Sequence, residues 1–302
     1  MNGKGLKNPI FLFYLLVFYV LMQFLWWLYL IFSLYGDVYH EAGEIRHKVI
    51  MLIGEGSVFL LILIIGMMMI RRAFKREVEV SQLQQNFLLS VTHELKSPIA
   101  SIKLFLQTLK SRQLEENKKI ELYDQSIKEL ERLDNLVGNI LLARSIDNQN
   151  FFLTKSAIRL DEVTEKIISP LKQGILRNHL LTAELEEIEY TADPEAIKSI
   201  CTNLLENAAK YAPEKSSIHL KLARQDDQIL LTVCDQGKGI DDENKKRVFE
   251  KFRRIENEMT RKSKGTGLGL YIVKYLVEQH NGSILLKDNH PQGLCVEIRF
   301  ES

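Results

Sequence analysis

The chain has 302 residues, with 40 basic against 39 acidic side chains and a formal net charge of +1. That length holds two globular domains beside further segments. The balanced charge offers no bulk attraction to a polyanion, so nucleic acid is excluded as an expected partner. Cys201, Cys234 and Cys295 lie far apart, without metal-ligand spacing and beside apolar neighbours. They read as buried free thiols in a reduced compartment.

The first predicted element is Ile10–Phe32, 23 residues without a charge, enough to cross about 30 Å of hydrocarbon. It is too long for the core of a signal peptide. Trp26, Trp27 and Tyr29 near its end read as an interfacial aromatic belt. A second apolar run, Val49–Ile70, carries one charge, Glu55. Lys4 and Lys7 precede the first run, and Arg71, Arg72, Lys75 and Arg76 follow the second, which puts both termini in the cytoplasm. The external loop Ser33–Lys48 has 16 residues, too few for a core of its own. A stimulus is therefore expected to act on the helices, on membrane lipid or through a membrane partner. Glu55, flanked by Gly54 and Gly56, reads as a carboxylate near the outer interface; a sensing carboxylate within the membrane is the other reading. His40 and His47, interleaved with Asp37, Glu41 and Glu44, read as part of a solvated loop.

A long helix is predicted from about Arg71 to Lys110. Leu88, Val91, Leu95, Pro98, Ile102, Phe105 and Leu109 recur at alternating steps of three and four, a helical seam. His93 falls off that seam, so a packed helix holds its imidazole toward solvent, with Glu94 as a neighbouring base. Pro98 is expected to kink the helix. Ser111–Asn117 reads as a polar turn, and a second helix presents Tyr123, Ile127, Leu130, Leu133, Val137 and Ile140 on one face. Two such helices bury too little alone; two copies packed as a four-helix bundle bury both stripes, which predicts a homodimer.

From Phe151 strands and helices alternate. Phe152–Leu160, Ser217–Leu222, Ile229–Cys234, Ser283–Leu286 and Leu294–Phe300 read as strands. Asp161–Leu176 and Pro194–Tyr211 read as helices, the latter with Asp193 as N-cap and proline at its first position. The class is an α/β sandwich, with neither a P-loop nor a G-x-G-x-x-G fingerprint. Asn203 and Asn207, four apart, share a helix face, where amide oxygens suit Mg²⁺ that also holds phosphate oxygens; Lys210 can pair with phosphate. Asp235-Gln236-Gly237-Lys238-Gly239-Ile240 ends an apolar strand with a carboxylate that can accept from an adenine amino group. Lys264-Gly265-Thr266-Gly267-Leu268-Gly269 precedes a helix N-terminus suited to phosphate. Between Asp241 and Lys264 lie nine basic and six acidic residues, the composition of a phosphate-facing lid.

His93-Glu94-Leu95-Lys96-Ser97-Pro98 resembles the H-box of sensor histidine kinases. Asn203 to Tyr211 resembles their N-box, Asp235 to Ile240 the G1 box, Phe249 to Arg254 the F-box, and Lys264 to Leu270 the G2 box. The resemblance spans about residues 80–302. Beside the two transmembrane helices read from the apolar runs, it implies an all-α helical hairpin forming a dimeric four-helix bundle and an α/β sandwich ATP-binding domain of the GHKL type. The expected domains are 1–76 (helices 10–32 and 49–70), 77–147 and 151–302. The resemblance further implies autophosphorylation of His93 from Mg²⁺-ATP, with Glu94 orienting or accepting a proton. Asn203, Asn207, Lys210, Tyr211, Asp235, Gly237, Gly239, Ile240, Phe252, Arg253, Lys264, Gly265, Thr266, Gly267, Leu268 and Gly269 are the expected nucleotide-binding residues. Asn207 and Asn203 are the expected metal ligands. The phosphoryl group is expected to pass to an aspartate on the receiver domain of a separate response regulator, and the chain to lie in the bacterial inner (cytoplasmic) membrane. The family's usual HAMP linker does not fit between Ile70 and the H-box. Ser97 stands where relatives commonly have Thr or Asn for phosphatase activity, and Gly293-Leu294-Cys295 where many have Gly-Thr-Thr. Hydrolysing GHKL members carry Glu where Asn203 stands, and an amide cannot take that proton. The alternatives are a non-catalytic signalling scaffold and a membrane-tethered GHKL ATPase.

Overall fold

The computed structural model describes residues 9–37, 42–148, 151–254 and 265–301. The chain divides into two units, Met1–Gln82 and Leu83–Ser302.

In the first unit, α1 spans Pro9–Asp37, and α2 (Ala42–Ser111) begins there. The expected external loop is therefore mostly helical: Ser33–Asp37 belongs to α1 and Ala42–Lys48 to α2, and Gly36 and Gly43 do not end the helices. His40 lies outside the described residues. Trp27 packs on Gly56, where an added Cβ would stand 3.2 Å from its ring. Most described apolar side chains of this unit face outward, among them Phe18, Leu21, Phe24, Leu60 and Met67. Among the described residues, one helical stretch is long and apolar enough to cross a membrane, in α2 from Ile53; the apolar stretch Phe18–Ile31 of α1 is shorter.

The second unit opens with the rest of α2, a turn, and α3 (Glu116–Asp147). Pro98 sits inside α2 without ending it. The predicted α2 seam packs inward from Val91 to Leu109, whereas Leu88 is exposed. On α3, Tyr123, Ile127, Leu130 and Val137 of the predicted face are exposed in the single chain and Leu133 and Ile140 half-buried, while Leu122, Ser126, Ala143 and Ile146 are buried.

The α/β part comprises β1 (Ser156–Arg159), α4 (Leu160–Gln173), β2 (Leu180–Leu185), β3 (Glu189–Ala192), α5 (Pro194–Tyr211), β4 (Ser217–Gln225), β5 (Gln228–Cys234), the short α6 (Asp242–Lys245), α7 (Gly269–Gln279), β6 (Ser283–Asp288) and β7 (Leu294–Glu301). β1 and β3 pair antiparallel, and the main sheet has the order β2-β4-β5-β7-β6. Only β2 and β4 run parallel within it. Alternation on its strands buries Ile218, Leu220, Leu222, Ile229, Leu231, Val233, Val296, Ile298 and Phe300 against the helices. The other face carries an in-register row of Glu184, Lys221, Thr232 and Glu297, of which Glu297 is buried and paired with Lys287 and Arg299. Asp193 caps α5 as expected, accepting from the N–H groups of Glu195 at 2.9 Å and Ala196 at 3.2 Å.

The cysteines also need correction. Cys234 and Cys295 are directly opposite on β5 and β7 and form a disulfide, with a sequence separation of 61. Spacing hid this pairing, because strand register decides it. Cys201 is the free, buried thiol that was expected, and burial pushes its pKa up to about 12.

Candidate nucleotide and phosphoacceptor site

α5 turns one polar face toward the glycine-rich loop that precedes α7. A Cβ built on Gly269 would stand 2.7 Å from Asn203 Oδ1 and 3.6 Å from Asn207 Nδ2. A Cβ on Gly265 would meet Lys210 Nζ at 2.5 Å. The i, i+4 spacing thus brings Asn203, Asn207 and Lys210 onto Gly265–Gly269. Asn203 is buried, and its Nδ2 donates to the Ser199 carbonyl at 2.9 Å, which leaves Oδ1 facing the start of α7. Asn207 and Lys210 are only half-buried. Gly267 has φ +71, and a side chain there would meet the Phe252 and Arg253 backbone at 2.9 Å. Thr266 is half-buried and Leu268 buried, while Lys264 lies outside the described residues.

Asp235 follows β5 and is buried. Burial pushes its carboxyl up from the ordinary 3.8, and the N–H groups of Gly237 at 2.7 Å and Leu294 at 3.4 Å pull it back. Gly237 is required by crowding: an added Cβ would stand 2.7 Å from the Tyr211 carbonyl oxygen, so the end of α5 meets the turn after β5. Leu294, where a threonine was noted as the commoner residue, contributes backbone only: it donates to Asp235 and accepts from the Asp235 N–H at 2.8 Å. Gly239 and Ile240 continue this turn, both half-buried.

His93 is exposed on α2, as its position off the seam predicts. Glu94 is 11% exposed and receives Arg132 Nη2 from α3 at 3.2 Å. Ser97 is half-buried one turn further on. Arg132 was not singled out from sequence. Glu94 and Arg132 lie about equally far from the interhelical turn, and reflecting α2 about that turn would have found the pair. Arg132 also lies near Glu206 on α5, whose carboxyl burial pushes up and the charges of Arg132 and Lys210 pull down.

Phe252 and Arg253 were expected to face nucleotide. The Phe252 backbone does abut Gly267, but its ring stacks on Phe87 of α2, with centroids 4.1 Å apart. Next to it, Lys251 pairs with Asp147 at the end of α3, and Tyr271 donates to the same carboxylate at 3.3 Å. These contacts hold the start of the lid and α7 against the hairpin. Among the described residues no group of three or more His, Cys, Asp or Glu is placed to hold a metal ion.

The arrangement is that of the two-component sensor kinases. Residues 83–149 match the family "His Kinase A (phospho-acceptor) domain", and residues 192–302 match "Histidine kinase-, DNA gyrase B-, and HSP90-like ATPase". The chain belongs to the two-component sensor histidine kinases, with a HisKA and a GHKL domain. It is 31% identical over 221 residues to the sensor histidine kinase YkoH of Bacillus subtilis, covering 72% of this chain and 47% of that one. It is 26% identical over 271 residues to the sensor protein CiaH of Streptococcus pneumoniae, covering 86% of this chain and 59% of the relative. The chain thus spans about half the length of these curated relatives. In fold it resembles the histidine kinase AdeS of Acinetobacter baumannii, with a TM-score of 0.50 and 21% identity over 69% of this chain and 97% of that one.

Proposed function

We propose that the chain is an ATP-dependent protein-histidine kinase that phosphorylates itself on His93 and passes the phosphoryl group to an aspartate on a response regulator. The convergence of Asn203, Asn207 and Lys210 on the Gly265–Gly269 backbone carries the reading. A nucleotide in that cleft has its adenine amino group at the buried Asp235 carboxylate and its phosphates at the N-terminus of α7. Lys210 supplies charge to the phosphates.

The donor set would fit Mg²⁺, because a few hard amide oxygens suit an ion that gives up little of its water. Asn207 and Asn203 would hold it, and when bound it neutralises charge on the transferring group. Asn207, half-buried, is the more accessible ligand; Asn203 lies under the start of α7. In the transfer itself, a His93 ring nitrogen forms the N–P bond as the bond to the ADP leaving oxygen breaks. Glu94, held by Arg132, orients the ring and accepts its proton. Ser97 would position water for the reverse, phosphatase reaction. Asn203 in place of a carboxylate favours transfer over hydrolysis.

The reading extends to the whole chain: a transmembrane hairpin over 1–76, a dimerisation and phosphotransfer domain over 77–147 and a catalytic domain over 151–302. The chain is a homodimer in the bacterial cytoplasmic membrane, crossing it twice with both termini inside. The outward apolar side chains of α1 and α2 support the membrane placement.

The test uses the full chain in lipid nanodiscs with γ-labelled ATP and Mg²⁺, beside His93→Gln and Asn207→Ala. Acid-labile, alkali-stable label on the parent chain alone is the expected result. Label on His93→Gln would assign another nucleophile. Phosphate release without labelled protein would favour an ATPase.

A further inference from the structure

We propose that Trp26, Tyr29 and Glu55 form a site for an amphiphilic organic cation in the outer leaflet of the membrane. The inference rests on the reading that α1 and α2 cross the bilayer.

Glu55 is the one formal charge in the apolar run Val49–Ile70. Its Oε2 accepts a hydrogen bond from Trp26 Nε1 at 2.9 Å, and no cationic side chain pairs with it among the described residues. A carboxylate at membrane depth without a counter-charge is costly to retain and marks a functional position. The two partners lie at one depth. Trp26 is six residues before the end of the first apolar run, and Glu55 six after the start of the second. At about 1.5 Å per residue each lies about 9 Å inside the outer edge.

Aromatic faces complete the site. The Trp26 and Tyr29 rings have centroids 5.8 Å apart and are tilted by 34°, and the residues are 46% and 66% exposed. Tryptophan and tyrosine faces attract cations, most strongly where water is scarce. Trp27 packs on Gly56 at the neighbouring position, which keeps the two helices close where the site forms. Met22 and Leu25, each one turn inward on α1 from Trp26 and Tyr29, are exposed and offer an apolar path for an alkyl tail. A metal ion does not fit, because one carboxylate gives too few oxygen ligands. The ligand class is therefore one positive head group, an ammonium, on a hydrocarbon chain. Occupancy would compete with the Trp26–Glu55 bond that ties α1 to α2.

Trp26 and Trp27 are the two tryptophans of the chain, so intrinsic fluorescence reads this place alone. The full chain in phosphatidylcholine nanodiscs is titrated with dodecyltrimethylammonium, dodecyl maltoside and dodecyl sulfate, each below its micellar concentration. The expected result is a saturable change with the cation only, weakened tenfold or more in Glu55→Gln. Tyr29→Leu is a second variant that keeps both reporters and weakens the same response. An unaltered response in both variants, or a linear response shared by all three amphiphiles, would overturn the proposal. Quenching by lipids spin-labelled at shallow and deep positions tests the membrane reading separately, since tryptophans outside the bilayer escape both. The measurement needs no ATP, so its failure leaves the kinase reading intact, and failed autophosphorylation leaves the site intact.

Discussion

Arg132 and Glu94 join the two helices of the hairpin in a contact that, in the proposed mechanism, holds the base beside His93. Glu94 is nearly covered, and its carboxylate is fixed by a charge-assisted hydrogen bond from a residue 38 positions away. Arg132→Met is expected to leave ATP affinity unchanged and slow autophosphorylation about tenfold, a part of the ~10²–10⁴-fold that a placed base supplies. Arg132→Lys should restore a portion of the rate, which a purely structural loss would not. A second residue, His280, sets a pH limit on the fold. Its Nδ1–H donates to the Leu276 carbonyl at 2.7 Å and its Nε2 accepts from the Asp193 N–H at 3.1 Å, so the buried ring is neutral. Burial lowers its pKa from the ordinary 6.5, and the Leu276 carbonyl partly opposes this. A lowered folded value means the unfolded chain binds the proton first. Stability from this group is complete above pH 6.5, declines as pH falls below that, and levels off beneath the folded pKa. Thermal melts between pH 8 and 5 should show the decline, and His280→Gln should flatten it.

At the scale of elements, the link between β5 and β7 is a backbone arrangement that tolerates no side chain. Gly293 has φ +135, and a Cβ there would overlap the Asp235 carbonyl oxygen. Gly293→Ala is therefore expected to cost about 2–4 kcal/mol, from strained backbone and overpacking together, and to weaken ATP binding because Asp235 moves. Gly138, within α3, is the contrast: nothing lies within 4 Å of its added Cβ. Gly138→Ala should stabilise by about 0.5–1 kcal/mol, the helix-propensity difference. Melting temperatures of the two variants should move in opposite directions. The caps and glycine turns were legible in sequence because they are local: Asp193-Pro194 announced α5 to the residue. β2 and β3 were not, because Leu180–Leu185 shows no clean alternation, its burial coming from its neighbour β4.

For the whole molecule, α3 carries an exposed stripe of Tyr123, Ile127, Leu130 and Val137, and α2 exposes Leu88, Ile99 and Leu106. Stripes of this size are rarely left open to water; in the proposed four-helix bundle a second copy would cover both. Leu130→Asp is expected to convert the detergent-solubilised dimer to monomer in analytical ultracentrifugation, with secondary structure by circular dichroism retained. A dimer of unchanged mass would place the interface elsewhere. The apolar runs were readable from their length and lack of charge, and the helical hairpin and most of the α/β region from their periodicity.

The boxes expected to carry the chemistry, and the helix that holds His93 outward, are legible along the chain because each depends on spacing within one element. Only the tertiary structure decided which distant residues meet. The disulfide between Cys234 and Cys295, the clamp of Arg132 on Glu94, the stacking of Phe252 on Phe87 and the bond from Trp26 to Glu55 all join positions 29 or more residues apart. Strand register and helix packing set those meetings, and neither is written in a local pattern.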